Sequence, residues 1–344
     1  MKRSIMAILV IGFFLIYIPL SGVNQPTSST QQKELQSSLK NIYRLYSQKN
    51  FDEALKSIDE SLNRFGSLKE LLQMKFNILM EQKKYADALG FVNAEIKKNG
   101  ESQELLAAKF NILFSWEKYP DALEVALKKD KISGAKSPWD AINIAQTYIR
   151  LHLKEEALDA LYQAARRGFI SYRILTGENF SFLRQEPKFY EIIEMMKVNV
   201  GLGNPAKDFN ARLISGEEFT LSSMKGKVIL IDFMSSWCEP CKNDIKLLNE
   251  LFQNYKDKGF DIIAISLDSD IKRWEILVKS AQLNWKTICS GKVWDDSIVK
   301  RYGIVSLPTY WVIDKHGIVR GFDLRGDELK TVIEILLKEK YITR

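Results

Sequence analysis

Histidine and cysteine are both scarce. The 344 residues hold two histidines, His152 and His316, and three cysteines. That is too few cysteines for a disulfide scaffold and too few histidines for a His-rich metal site. Charge of one sign is not concentrated either. The net charge is +7, yet from Pro205 onward 22 Lys and Arg face 20 Asp and Glu. The remaining excess is spread over the earlier part of the chain without a basic block, which describes a solvated surface and not a nucleic-acid face. Extended disorder is excluded by 46% hydrophobic against 27% charged residues. The length points to two folded units.

The N-terminus has the layout of a secretory signal. A basic Met1-Lys2-Arg3 precedes an apolar run from Ile5 to Leu20 and then Ser21-Gly22. The run is slightly long for a cleaved signal and slightly short for a membrane-spanning helix, so residues 1–23 suit either a signal peptide or an uncleaved anchor. Both put the rest of the chain outside the cytoplasm, with membrane association only through this segment. Residues 24–38 begin with a Ser/Thr-rich, unpatterned stretch (Asn24 to Gln32) and are expected to form a polar linker.

An internal repeat follows. Phe51-Asp52-Glu53-Ala54-Leu55 returns as Tyr85-Ala86-Asp87-Ala88-Leu89, as Tyr119-Pro120-Asp121-Ala122-Leu123 and as Lys154-Glu155-Glu156-Ala157-Leu158. The steps are 34, 34 and 35 residues. Lys75-Phe76-Asn77-Ile78-Leu79 returns as Lys109-Phe110-Asn111-Ile112-Leu113, also after 34. Each unit reads as two amphipathic helices whose small Ala permits close approach. The pattern resembles a degenerate tetratricopeptide repeat, without its usual Trp, Gly and Pro positions. Residues 39–200 are expected to form this array, with Gly168 to Phe189 as its terminal cap. Gly201-Leu202-Gly203-Asn204-Pro205 breaks the periodicity and is expected to be the domain boundary.

Beyond it the period changes. Val228-Ile229-Leu230-Ile231 and Phe260 to Leu267 read as strands buried on both faces. Ile245, Leu248, Phe252 and Tyr255 keep helical spacing. Tyr310 to Ile313 and Ile318 to Phe322 flank Asp314-Lys315-His316-Gly317 as a hairpin, and a last helix runs from about Asp327 to Lys340. The fold class is thus α + α/β: an all-α array, then a small α/β domain over 204–344.

Trp237-Cys238-Glu239-Pro240-Cys241 carries the chemistry. A C-x-x-C where a buried strand meets a helix puts the first sulfur at unpaired N–H groups and the positive end of the helix dipole, which favours thiolate. Cys238 is therefore expected to attack and Cys241, one turn in, to resolve. A zinc site needs two further ligands, and no second pair exists. Asp232 ends an apolar strand, where a desolvated carboxylate keeps its proton to higher pH and can accept one from Cys241. Cys289 reads as a small buried hydrophobe.

Gly226-Lys227-Val228, the Cys pair and Ser306-Leu307-Pro308-Thr309 together resemble the thioredoxin superfamily. Ala206-Lys207-Asp208-Phe209 and Gly216-Glu217-Glu218-Phe219 resemble the lead-in of its TlpA/ResA-like extracytoplasmic branch. The resemblance implies a thioredoxin fold, a redox-active Cys238–Cys241 disulfide and a cis Pro308. It implies a substrate-contacting set of Trp237, Leu307, Pro308 and Thr309, and a buried aspartate at Asp232. It matches Asp244 to an acidic residue near the active site in reducing members, beside the plainer expectation of a solvated helix face. Ile245 departs from the branch, which usually has a proline there, so a straighter helix is expected. No cofactor or metal is implied. The partners are a protein disulfide substrate, a separate thiol electron donor and a protein ligand of the repeats. Glu239 between the cysteines disfavours a strong oxidant, so the direction expected is reduction, as in the cytochrome-maturation relatives. The competing class is a repeat-based interaction scaffold with secondary redox activity, against which the intact Cys238, Cys241 and Pro308 speak. A peroxidase lacks its Thr-x-x-Cys site, Ser235 alone approximating the threonine. A copper chaperone has only His316 to offer.

Overall fold

Each repeated pentad opens the second helix of a hairpin. In the computed structural model, which describes residues 29–66 and 68–341, the helices are α1 (Ser29–Ser47), α2 (Phe51–Phe65), α3 (Lys69–Glu81), α4 (Tyr85–Asn99), α5 (Gln103–Ser115), α6 (Tyr119–Ile132), α7 (Pro138–Arg150) and α8 (Lys154–Arg166). The repeated alanines Ala54, Ala88, Ala122 and Ala157 are all fully buried, as are Ile78 and Ile112 of the second register. With no side chain beyond Cβ, alanine lets paired helices close on one another. Lys49, Lys83, Glu117 and His152 follow the same 34, 34 and 35 steps and take left-handed φ of 56° to 61°. They close the first helix of each hairpin, with the N–H groups of Asn50, Lys84, Lys118 and Leu153 returning to the carbonyls of Leu45, Leu79, Leu113 and Tyr148.

The expected signal or anchor over 1–23 and the first residues of the linker lie outside the described residues. Residues 29–38, expected as linker, are instead helical and belong to α1. Leu35 and Leu39 extend the stripe of the buried Ile42 and Leu45, and Ser38 hydrogen-bonds Ser61 of α2, so tertiary packing overrides the polar composition. Among the described residues no helix is long and apolar enough to cross a membrane.

The chain divides into two compact units after Arg167 and not at 201–205. The segment expected to cap the array, two 3₁₀ turns and α9 (Pro187–Val200), belongs to the sheet unit. Ile170 and Val200 enter the same core as Phe209, Phe233 and Trp311. Tyr172 meets the ring of Phe322 at 5.8 Å, and Arg173 pairs with Glu328. The glycine-rich stretch pairs with the sheet as well: Gly203 N–H donates to Val319 O, and Val319 N–H to Asn204 O. A periodicity break is thus an edge strand's pairing partner here, not a free linker.

The second unit holds β1 (Asn210–Arg212) and β2 (Glu218–Thr220) as a hairpin, then β3 (Val228–Met234), α10 (Glu239–Tyr255), β4 (Phe260–Ser266), α11 (Ile271–Ser280), β5 (Lys286–Cys289), α12 (Ser297–Tyr302), β6 (Thr309–Ile313), β7 (Val319–Phe322) and α13 (Gly326–Lys338). The five-stranded sheet has order β5-β4-β3-β6-β7. β3, β4 and β5 are parallel, while β6 runs antiparallel to both of its neighbours, β3 and β7. This is the thioredoxin-like sheet that the sequence led one to expect. Its edges are covered: residues 203–206 lie along β7, and Ile214 N–H donates to Thr287 O beside β5. β3 is buried throughout. Side chains alternate across a strand, so Ile229, Ile231 and Phe233 fill one layer while Val228, Leu230 and Met234 fill the other, together with both active-site cysteines.

Candidate active site

That alternation places Asp232 on the cysteine-bearing face of β3. The chain leaves β3 and enters α10 with Cys238 as the N-cap. Cys238 Sγ accepts the N–H of Cys241 at 3.2 Å, doing what a cap oxygen usually does. Cys238 and Cys241 are joined as a disulfide with a Cα–Cα distance of 5.3 Å. Pro240 lies in the first turn, where a missing N–H costs little. Glu239 pairs with Lys242 on the exposed side of that turn. Trp237 is 37% exposed, so it offers an aromatic surface beside the cysteines.

The loop before Cys238 is held from below. Asp268, buried just beyond β4, accepts the N–H of Ser236 at 2.8 Å and the hydroxyls of Ser236 and Ser266 at 2.5 and 2.7 Å. Its own carbonyl receives the Cys289 thiol at 3.6 Å. Burial pushes that thiol's pKa up, which keeps it protonated and unreactive. Leu307–Pro308 is a cis peptide bond. Leu307 packs against the layer that contains Cys238 and Cys241. Thr309 is buried, and its hydroxyl donates to Ser306 O at 2.7 Å, tightening the loop.

Asp232 is 1% exposed, and its Oδ1 has no hydrogen-bond partner. Desolvation raises its pKa to about 8; the charge of Arg325 opposes this and that of Asp244 adds to it. Asp244 is half-buried and not on an open helix face. It accepts the Tyr310 hydroxyl at 2.9 Å. Tyr310 lies directly across from Asp232 in the β3–β6 ladder, and its own pKa is raised, first by burial and then by the charge of Asp232. The Arg325 guanidinium stacks on the Tyr310 ring at 3.8 Å from its centre. It donates to Pro308 O at 2.7 Å and to the Asp323 carboxylate. Asp323 is itself pushed up to about 6 by burial, an effect Arg325 moderates.

Sequence reasoning thus named the cysteines, the proline loop and both aspartates, and the structure gathers these around one layer. It missed Tyr310, Asp323, Arg325, Asp268 and Ser236. Tyr310 is indistinguishable from an ordinary strand aromatic. Arg325 and Asp323 fall in the short turn between β7 and α13, about 85 residues after the cysteines, with no local motif. Among the described residues no three His, Cys, Asp or Glu side chains cluster in a way that could hold a metal.

Comparison with known proteins bears on the sheet domain. The profile of the AhpC/TSA family matches residues 202–322. The thiol-disulfide oxidoreductase ResA of Bacillus thuringiensis subsp. konkukian is 32% identical over 138 residues, 40% of this chain and 78% of the relative. The thioredoxin-like protein YneN of Bacillus subtilis is 26% identical over 134 residues, 38% of this chain and 76% of the relative. Among solved structures, a thiol-disulfide oxidoreductase from Bacteroides fragilis is similar at 29% identity, covering 39% of this chain and 99% of that one, with a TM-score of 0.37. Through its sheet domain, the chain belongs to the ResA-like family of thioredoxin-fold thiol–disulfide oxidoreductases.

Proposed function

We propose that this oxidoreductase works outside the cytoplasm as a protein-disulfide reductase, with the helical repeats recruiting its protein partner. The carrying observation is the capping Cys238 Sγ at the head of α10, in the layer that Asp232 faces, together with the burial of Asp232, whose Oδ1 has no partner. In the reduced protein the Cys238 thiolate attacks a substrate disulfide, forming a mixed disulfide and releasing one substrate thiolate. Asp232 then takes the Cys241 proton, and the Cys241 sulfur attacks Cys238 Sγ. The second substrate sulfur leaves as a thiolate that takes a proton from water, the Cys238–Cys241 disulfide is restored, and Asp232 returns its proton to solvent. Two electrons have passed to the substrate, and a separate dithiol donor returns them. Trp237 and the backbone at Leu307–Pro308 offer the substrate chain an aromatic face and an extended edge, and Thr309 holds that loop in shape. The lead-in motifs that resemble the extracytoplasmic branch favour that setting, as does the basic and apolar start of the chain.

The test is trapping with Cys241→Ser, which leaves the mixed disulfide unresolved. At mildly acidic pH, iodoacetamide should label Cys238 of the reduced wild type well before Cys241. The Ser variant should accumulate covalent complexes that Cys238→Ser abolishes. A reduction potential near about −270 mV fits the reductase direction, whereas one near about −120 mV reverses it. Equal labelling of the two thiols, or no trapped complexes, would leave the repeats as the functional element and redox as secondary.

A further inference from the structure

Arg325 is the one described cation placed to touch both the proline loop and the carboxylates of the site. Its planar fork donates from one edge to the Pro308 carbonyl and to Asp323, while its face lies on Tyr310. Tyr310 in turn donates to Asp244 and stands across the ladder from Asp232. Asp232 points into the layer that holds Cys238 and Cys241, lies across from Tyr310 of β6, and feels the charges of Asp244 from α10 and Arg325 from the turn before α13, while Asp323 of that turn is bound by Arg325. Three carboxyls are thus linked to Arg325, Asp232 by its charge, Asp323 directly and Asp244 through Tyr310. Arg173, paired with Glu328, stands behind Asp323.

We propose that Arg325 is a positioning residue that couples the two halves of the exchange reaction: it fixes the substrate-docking carbonyl frame at cis Pro308 and supplies the positive charge that makes Asp232 available as the Cys241 proton acceptor. This rests on the assignment of Asp232 as that acceptor. The physical reason for arginine is its shape. A guanidinium stacks and donates at once, whereas a lysine ammonium has a charge but neither the plane nor the fork. Without the cation, Asp232 would be left with the negative charge of Asp244 and would hold its proton to higher pH, a direction matching the opposing influence of Arg325 on its titration. Docking would loosen separately, since Pro308 O would lose its side-chain donor.

The experiment follows the full chain, reduced, reacting with 5,5′-dithiobis(2-nitrobenzoate). The first thionitrobenzoate reports attack by Cys238, and the second reports resolution by Cys241. In the wild type the second phase should accelerate as pH rises through the Asp232 titration, and Asp232→Asn should abolish that limb. Arg325→Gln should shift the limb upward by about one pH unit, slowing resolution about tenfold at pH 7, while the first phase keeps its pH dependence. Arg325→Lys should restore the wild-type limb yet raise KM for insulin disulfides several-fold, because charge is kept and the fork is lost. An unshifted limb in Arg325→Gln, with the limb lost in Asp232→Asn, overturns the role of Arg325 alone. A limb that survives Asp232→Asn instead overturns the acceptor assignment beneath it. Should Arg325→Gln not fold, Arg325→Lys decides: wild-type KM for insulin refutes the docking role.

Discussion

Replacing Asp232 with Asn should stabilise the oxidised protein at neutral pH and destabilise it in acid. Burial raises the folded-state pKa of Asp232 from 3.8 to about 8. Below pH 3.8 the carboxyl is protonated in folded and unfolded chains alike, and its ionisation costs the fold nothing. As pH rises, the unfolded chain ionises first while the folded one keeps its proton, so stability is lost steadily until the folded group also titrates at about 8. At pH 7 the accumulated loss is about 4 kcal/mol, taking 1.36 kcal/mol for each pKa unit. Asn is nearly isosteric and does not titrate, so it removes that loss. It also buries an amide where Oδ1 already lacks a partner, which costs about 1–3 kcal/mol. The net is a gain of about 1–3 kcal/mol at pH 7, a loss of similar size at pH 4 and a crossover between about pH 4.5 and 6. Hydrogen exchange of the β3 amides, 228–234, reports opening of the sheet unit. Comparing variant with wild type at each pH cancels intrinsic exchange rates. A difference in protection that stays constant from pH 4 to 8 would refute the reasoning.

Two further outcomes test the architecture. A chain starting at Gly168 should unfold cooperatively in guanidinium, whereas one starting at Gly203 should be weaker by several kcal/mol and bind a hydrophobic dye. The latter strips Ile170 and Val200 from the sheet core, each worth about 1.5–3 kcal/mol when buried; equal midpoints would place the boundary back at 201–205. In the repeats, Ala122→Leu forces a larger side chain into a fully buried position and should destabilise the helical unit by about 1–3 kcal/mol. Chemical denaturation followed by far-ultraviolet circular dichroism measures this, and an unchanged midpoint would mean that the repeated alanine is not a helix–helix contact.

Local chemistry made much of this protein legible in its sequence. A pentad returning every 34 or 35 residues requires similar helix pairs, because each copy puts the same small side chain at the same contact. A C-x-x-C after an apolar strand requires a thiol at a helix N-terminus, which is set by backbone groups within four residues. The aspartate within that strand needed only the pattern of burial around it. One boundary signal went unread: Gly66, Gly100, Gly134 and Gly168 are spaced by 34 residues, all with positive φ, so the last repeat ends at Gly168. What only the tertiary structure decided is what lies far apart in the chain. The stretch 29–38 is polar in composition and becomes helix because α2 packs on it. The stretch 168–205 has no pattern of its own and is shaped by the core and the β7 edge that receive it. Arg325 reaches Pro308, Tyr310 and, through them, Asp244 and Asp232 because β7 returns antiparallel beside β6. The charge that balances the buried acids is set by which strands are neighbours, and no local spacing encodes that.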